Sequence, residues 1–111
     1  MYKYNIKEIT KVVDGDTVDA IIDLGFNVHI KERIRLYGIN TPETRTRNKE
    51  EKKKGLIAKN KVKHILYGAK KIKLHSKGIG KYGRVLGVLI IDDQKQSLND
   101  FLLENGYAVK M

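Results

Sequence analysis

The sequence contains no cysteine. Disulfides, thiolate zinc sites and a cysteine nucleophile are therefore excluded together. Three histidines are present, but His29, His64 and His75 lie far apart and never show the His-Glu-x-x-His spacing of zinc proteases. We therefore expect surface or packed histidines rather than metal ligands.

Long apolar runs are also missing. The first residues hold no apolar stretch of signal-peptide length, and no segment approaches the length of a membrane span. We therefore expect a cytoplasmic protein, unless a leader has been removed, with no membrane partner. Repeats and low-complexity tracts are absent as well. Residues 1–111 are expected to form one domain that acts as a monomer.

Acidic residues are scarce relative to basic ones. Lysine and arginine number 23 against 13 aspartates and glutamates, which gives a net charge of +10. Such a charge attracts polyanions, and nucleic acid is the commonest polyanionic partner. A hydrophobic share of 41% is ordinary for a folded globular chain.

Alternating apolar residues predict three strands in the first third of the chain. They cover residues 2–13, Thr17–Asp23 and Val28–Tyr37. Asp14-Gly15-Asp16-Thr17 carries the Asp-Gly pair typical of hairpins and joins the first two strands. A three-stranded meander is therefore expected.

The pattern then changes to a helical period. Lys49–Tyr67 is predicted as a helix, with Leu56 as an alternative start because Gly55 disfavours a helix interior. Gly68 is expected to end it as a C-terminal glycine.

The last third predicts two further strands and a short helix. The fourth strand is Lys70–His75, a glycine-rich loop covers Ser76–Gly83, and the fifth strand, Arg84–Ile91, is apolar enough to be buried on both faces. A Ser-x-x-Asp pattern starts a second helix at Ser97, and Gly106 ends it.

This order of elements indicates a mainly β fold with helices. Three strands, a helix, two strands and a helix match a five-stranded OB-fold barrel, with one helix between strands three and four and a short one near the C-terminus. A split antiparallel sheet with both helices on one side also fits.

The end of the third strand concentrates polar chemistry. Alternation places Arg35 on the opposite face from Ile34 and Leu36, so we expect a ligand to reach it. Thr41-Pro42-Glu43 then stops the strand, because proline cannot donate a ladder hydrogen bond. The same three residues also fit a helix start, with Thr41 as the N-cap.

Four sequence blocks together resemble one known family. They are Asp-Gly-Asp-Thr at 14–17, Arg-Leu-Tyr-Gly-Ile-Asn-Thr-Pro-Glu at 35–43, Lys-Tyr-Gly-Arg at 81–84, and Leu-Asn-x-x-Leu-x-x-x-Gly-x-Ala at 98–108. In this order they resemble the staphylococcal nuclease-like (thermonuclease) domain over nearly the whole chain. The resemblance implies an OB barrel and a calcium-dependent phosphodiesterase acting on DNA or RNA, with single-stranded or frayed substrates preferred.

The resemblance also implies roles for individual residues. Glu43 matches the general base that activates water, and Arg35 and Arg84 match two arginines that hold the scissile phosphate. Lys81 and Tyr82 match substrate contacts. Paired arginines suit this role because each guanidinium can bind two phosphate oxygens at once.

One metal ion, calcium, is implied at the same place. Asp16 matches a metal-binding carboxylate, Thr41 the residue that offers its backbone carbonyl, and Asp14 a carboxylate near the metal. Asn40 stands where the family usually has a second metal-binding aspartate. Its amide oxygen still suits calcium, but the loss of one charge predicts weaker binding.

A second function fits the same sequence. An OB module that binds single-stranded nucleic acid without cleaving it would also need the charge of +10 and would tolerate Asn40. The presence of Glu43 favours the nuclease, because a binding module needs no base beside a metal carboxylate.

Overall fold

The structure is a computed structural model, and it describes residues 2–111. In chain order the elements are β1 (Tyr2–Asp14), β2 (Thr17–Asp23), β3 (His29–Leu36), β4 (Ile39–Asn40), α1 (Lys49–Gly68), β5 (Ile72–Ile79), a 3-10 turn (Lys81–Gly83), β6 (Val85–Ile91), α2 (Leu98–Glu104) and β7 (Val109–Lys110).

Five of the strands close into a barrel. Their order is β1, β2, β3, β6, β5, and only the pairing of β3 with β6 is parallel. The long strand β1 pairs with both β2 and β5, and three register shifts along its pairing with β2 give it the curvature that closure needs. The predicted five-stranded barrel is confirmed, with α1 between its third and fourth strands in chain order. The open split sheet is excluded.

The core fills the barrel and the space beneath the helices. Its largest fully buried side chains are Ile34, Leu36, Ile39, Leu74, Leu89, Leu102, Val12, Val18 and Val62. Those on the barrel strands alternate along the chain, so one face of each strand points inward, and Val62 and Leu102 come from the two helices. Helix α1 covers the barrel through Ala58, Val62 and Leu66, which recur every four residues and are at most 3% exposed.

Helix α1 begins at Lys49, which confirms the first of the two predicted starts. The side chain of Asn48 caps it by accepting hydrogen bonds from two backbone N–H groups of the first turn. The alternatives with Thr41 as N-cap and with a start at Leu56 are wrong. Gly68 does not cap the other end, because it is still helical and Ala69 is the cap in extended conformation.

Neither helix described in residues 2–111 has both the length and the apolar composition that spanning a bilayer requires.

Two predictions for β5 and β6 are wrong. Ser76–Gly83 was expected to be a loop, but β5 continues to Ile79 and pairs with β6 across a bulge beside Gly78. The connection shrinks to a tight turn that ends before Arg84. Strand β6 is buried on only one face: alternate residues such as Val88 are half-buried, because the outer face of a barrel strand is not covered by a second sheet.

A two-stranded sheet that was not predicted extends the site region. Strand β4 pairs antiparallel with β7, which joins Ile39–Asn40 to the C-terminal end of the chain. Asn99, 3% exposed, ties this region to the barrel: its amide donates to the carbonyl oxygens of Tyr37 and Gly87 at 2.9 and 3.2 Å and accepts from the N–H of Leu89 at 3.2 Å. The position of β4 is therefore determined both by its pairing with β7 and by the hydrogen bonds of Asn99.

Candidate active site

Asp16 lies in the turn between β1 and β2 and is only 8% exposed. One carboxylate oxygen accepts a hydrogen bond from the Thr17 hydroxyl at 2.9 Å, and the other accepts one from the backbone N–H of Thr41 at 2.9 Å. The Nη2 atom of Arg35 lies 3.4 Å from that second oxygen. A buried carboxylate is tolerated only where such partners replace water. The turn therefore holds a charged carboxylate in a fixed position.

Arg35 is buried, contrary to the expectation that a ligand would reach it freely. Its Nη1 donates to the carbonyl oxygens of Leu36 and Ile39 at 3.0 and 2.9 Å, and its Nη2 donates to the side-chain oxygen of Asn40. Alternation did place Arg35 opposite Leu36, but the chain folds back through β4 and covers that face. The side chain is 10% exposed, so little of it is open to a ligand.

The loop that carries Glu43 is held at both ends by the turn between β1 and β2. On one side, the N–H of Thr41 donates to Asp16. On the other side, the hydroxyl of Thr44 donates to a carboxylate oxygen of Asp14. The Glu43 side chain is exposed and forms no hydrogen bond or ion pair within residues 2–111. Its backbone is therefore fixed close to both aspartates, while its carboxylate stays open to solvent.

Two glycines allow this loop to pack closely. A Cβ on Gly15 would lie 2.9 Å from the methyl group of Thr41, and a Cβ on Gly55 would lie 2.7 Å from the carbonyl oxygens of both Pro42 and Glu43. No real Cβ makes contacts this short, so helix α1 approaches the loop at a distance that only glycine permits. This explains why a helix carries glycine at a position where alanine would favour the helix more.

The oxygen atoms that could hold a metal are gathered around Arg35. The side-chain oxygen of Asn40 and one oxygen of Asp16 both contact its Nη2 atom, and Thr41 follows directly in the chain. Carboxylate, amide and carbonyl oxygens are the donors that calcium takes. An amide oxygen has two lone pairs, so Asn40 can serve both Arg35 and an ion. The residues fit calcium in donor type.

The charge at this place is low for a metal site. Within residues 2–111 no three histidine, cysteine, aspartate or glutamate side chains form a cluster that could bind a metal ion. Asp16 supplies one negative charge there, and Arg35 offsets it. Because calcium affinity rises with the number of charged ligands, any calcium bound here is expected to be bound weakly.

Arg84 lies on the same outward barrel face as Arg35. Leu86 pairs with Arg35 across the parallel strands, and Arg84 precedes Leu86 by two residues in extended backbone. The Nε atom of Arg84 is buried without a partner in residues 2–111, and its guanidinium carbon lies 5.9 Å from the ring centre of Tyr82. Tyr82 is 92% exposed with a φ of +62°, and Lys81 beside it is exposed.

The predicted site residues therefore fall into two groups. The structure brings one group together directly; it consists of Asp14, Asp16, Arg35, Asn40, Thr41 and the backbone of Glu43. The other group, Lys81, Tyr82 and Arg84, shares the barrel face of Arg35, but within residues 2–111 no hydrogen bond or ion pair joins it to the first group.

Sequence reasoning missed three residues that position the site. Thr44 and Gly55 hold the loop of Glu43, and Asn99 holds the strand end that leads into it. A glycine inside a strongly helical segment was a usable signal for Gly55, because such a glycine usually marks a close contact. Asn99 belongs to the Leu-Asn-x-x-Leu block at 98–108, which marked it as part of a motif but gave it no role. Nothing local distinguishes Thr44 from other polar residues.

Comparison with known proteins identifies a family for most of the chain. A family model described as staphylococcal nuclease homologue matches residues 33–111. This span contains three of the four blocks identified in the sequence and begins after the turn that carries Asp14 and Asp16.

One curated relative matches along most of the chain. Protein ParB from Escherichia coli is 26% identical over 108 residues, which cover 91% of this chain and 54% of ParB. The chain thus spans about half the length of this relative. Since the family model covers most of the chain, the chain belongs to the staphylococcal nuclease homologue family, a fold family of nucleases and nucleic-acid-binding domains.

Proposed function

We propose that the protein is a metal-dependent nuclease that hydrolyses phosphodiester bonds of DNA or RNA and prefers single-stranded or frayed substrates. The observation that carries this proposal is the attachment of the Glu43 loop to the Asp14–Asp16 turn beside Arg35. A base, a carboxylate and a guanidinium are then held within one small region. Phosphodiester hydrolysis needs these groups together, because an anionic phosphate repels an attacking hydroxide.

Glu43 acts in this proposal as the general base. Its carboxylate has no protein partner in residues 2–111, so it is free to take a proton from water. A general base must lie within hydrogen-bond reach of that water. The two hydrogen bonds that flank Glu43 in the chain fix its backbone for this purpose.

Arg35 and Arg84 bind the phosphate. The two Nη atoms of Arg35 already donate to protein oxygens, whereas its Nε–H has no protein acceptor in residues 2–111. The buried, unpartnered Nε of Arg84 is a second donor that lacks an acceptor. Lys81 and Tyr82 lie next to Arg84 and contact the neighbouring nucleotide, the tyrosine by stacking on a base.

One calcium ion would be held by the carboxylate of Asp16, the amide oxygen of Asn40 and the carbonyl of Thr41, with Asp14 nearby. When bound, it would neutralise negative charge on the phosphate. Arg35 keeps Asn40 and Asp16 oriented toward each other in this arrangement.

The test is cleavage of single-stranded DNA and of RNA in excess calcium, with and without a chelator. Wild type is expected to cut only with calcium. Glu43→Gln is expected to be about 10²- to 10⁴-fold slower, the usual contribution of a general base. Glu8→Gln removes another exposed carboxylate, on β1, and should cut at the wild-type rate. Equal rates for Glu43→Gln and wild type, or no cleavage by either, would refute the proposal.

A non-catalytic nucleic-acid-binding module is the second candidate. Asn40 favours it, because this residue lowers the charge available to a metal. Binding of single-stranded DNA that is unaffected by chelator, together with an absence of cleavage, would support this function instead.

A further inference from the structure

A groove opens beside the end of β3. It has a volume of about 340 Å³ and lies between the end of β3, the bulge of β5 and the start of α2. Tyr37, Lys77, Lys95 and Lys110 line it, and Asp100 is the one acidic residue in its lining. Three lysines thus line a space that is large enough for part of a polymeric ligand.

A second groove meets the first at Lys77. It has a volume of about 380 Å³, and Tyr2, Ser76 and Lys77 line it together with Gly78. Lysine and tyrosine side chains therefore continue from one groove into the other. We refer to Tyr2, Tyr37, Lys77, Lys95 and Lys110 as the lysine–tyrosine surface.

No ion pair neutralises the lysines of this surface in the part of the chain that the structure describes. Lys77, Lys95 and Lys110 are exposed and form no ion pair within residues 2–111. The neighbouring His75 responds to the same positive field: burial, and then the charges of Lys3, Lys73 and Lys77, lower its pKa. An anionic ligand is the natural partner for such a field.

The tyrosines make the surface suitable for bases as well as for phosphates. Tyr37 is 48% exposed and Tyr2 is 74% exposed, although burial of either ring would be favourable. The Nζ atom of Lys77 lies 5.6 Å from the ring centre of Tyr37, within the range of a cation–π contact. A lysine on a phosphate and a tyrosine under a base are the paired contacts of single-strand binding.

The surface borders the candidate active site. Lys110 pairs with Ile39 in the small sheet, and the next residue along β4 is Asn40. Tyr37 follows Arg35 by two positions. A single-stranded nucleic acid whose scissile phosphate lies at Arg35 can therefore continue past β4 onto the lysine–tyrosine surface.

We propose that the lysine–tyrosine surface binds a second stretch of the single-stranded nucleic acid substrate, outside the position of cleavage. This inference rests on the proposed nuclease function. It makes substrate length a determinant of affinity, because a short oligonucleotide fills only the cleavage site, whereas a longer one also reaches the lysines and tyrosines. An anionic lipid surface suits this region less well, because the exposed groups are two separated tyrosines rather than an apolar helix face.

The test compares oligonucleotides of about 4 and about 16 nucleotides, the range of lengths that OB folds bind. Affinity is measured by fluorescence anisotropy in calcium, in a Glu43→Gln background that slows cleavage. The variant Lys77→Ala/Lys95→Ala should weaken binding of the long oligonucleotide and leave binding of the short one unchanged. Loss of two phosphate contacts should also reduce the slope of log affinity against log salt concentration by about 1.4.

A matched control removes two positive charges elsewhere. Lys7 and Lys70 are exposed and line a different groove, beside the C-terminal end of α1. Lys7→Ala/Lys70→Ala should keep the wild-type affinity for both lengths. Tyr37→Ala should lower affinity for the long oligonucleotide about fivefold or more, and Tyr37→Phe should restore it, because stacking needs the ring and not the hydroxyl.

The cleavage and binding results together distinguish the two proposals. Equal affinities of the two double-lysine variants for the long oligonucleotide would overturn the proposed surface and leave the nuclease proposal standing. If wild type does not cleave, but Lys77→Ala/Lys95→Ala loses the length-dependent part of binding, the nuclease proposal is refuted. The assignment of the lysine–tyrosine surface to nucleic acid binding then stands. If the protein binds neither length, both fail. If Lys77→Ala/Lys95→Ala loses binding to phosphatidylserine vesicles but still binds the long oligonucleotide as wild type does, the partner is a lipid and the proposal is overturned.

Discussion

The hydroxyl of Thr44 donates a hydrogen bond to the carboxylate of Asp14, thirty residues earlier in the chain. Together with the bond from the Thr41 N–H to Asp16, it holds the loop around Glu43 between two fixed points. The position of the proposed base therefore depends on a turn that belongs to a different part of the barrel.

Removal of the Thr44 hydroxyl tests this relationship. Thr44→Val keeps the shape of the side chain but cannot donate, so the loop should lose one of its two anchors. We expect about a tenfold lower kcat, or roughly 1.4 kcal/mol in the barrier. The free energy of unfolding should change by only about 1 kcal/mol. Cleavage kinetics and denaturant unfolding measure the two effects.

Thr44→Ser should restore the rate, because it returns the hydroxyl without the methyl group. Wild-type kcat in Thr44→Val would show that the bond to Asp14 does not position the base.

Alanine at Gly55 should destabilise the protein, although alanine is the better helix former by about 1 kcal/mol. Its Cβ would lie 2.7 Å from the carbonyl oxygens of Pro42 and Glu43, so either α1 or the loop must move. We expect a lower free energy of unfolding and slower cleavage. Chemical denaturation and cleavage assays check both.

The matched control is Gly68→Ala, in the same helix. No atom lies within 4 Å of a Cβ built there, and its φ is not positive. It should be neutral or stabilising by up to about 1 kcal/mol. If both alanine variants behave alike, the close contact at Gly55 is not what requires glycine.

Asn40→Asp should lower the calcium concentration needed for half-maximal cleavage. The aspartate adds one negative charge to the proposed ligands and can still accept the hydrogen bond from Arg35. Affinity should rise about tenfold to a hundredfold, since calcium sites gain affinity with charged ligands. Calcium titrations of cleavage rate provide the measurement. An unchanged or higher calcium requirement would mean that Asn40 does not take part in metal binding.

The ion pair between Asp19 and Arg33 should make the protein less stable in acid. A hydrogen bond from Arg33 lowers the pKa of Asp19, burial opposes it, and the charges of Arg33, Lys11 and Lys31 add to the lowering. Because the folded pKa lies below the unfolded one, the stabilisation is present above about pH 4 and is lost as the pH falls through the folded pKa.

Asp19→Asn should therefore be less stable than wild type near neutral pH and equally stable in strong acid. Denaturant unfolding across this pH range measures the difference. A gap between the two proteins that stays constant down to strong acid would contradict the assignment.

Local patterns predicted the strands and helices well, because each depends on the spacing of neighbouring residues. The hairpin turn at Asp14–Thr17 and the helix from Lys49 follow from this kind of information. Local patterns failed for Ser76–Gly83, where glycines indicated a loop. Pairing with β6 extends the strand there instead, and a bulge beside Gly78 absorbs the irregularity.

The sequence by itself determined which chemical groups the candidate site offers: Asp16, Arg35, Asn40 and Glu43 are identifiable from their motifs. Only the tertiary structure decided what surrounds them. Arg35 is covered because β4 folds back over it, and the loop of Glu43 is fixed by Asp14 and by the glycine contact of α1. The physical reason is that burial and hydrogen-bond partners depend on residues far apart in sequence, whereas alternation and turn chemistry depend only on near neighbours.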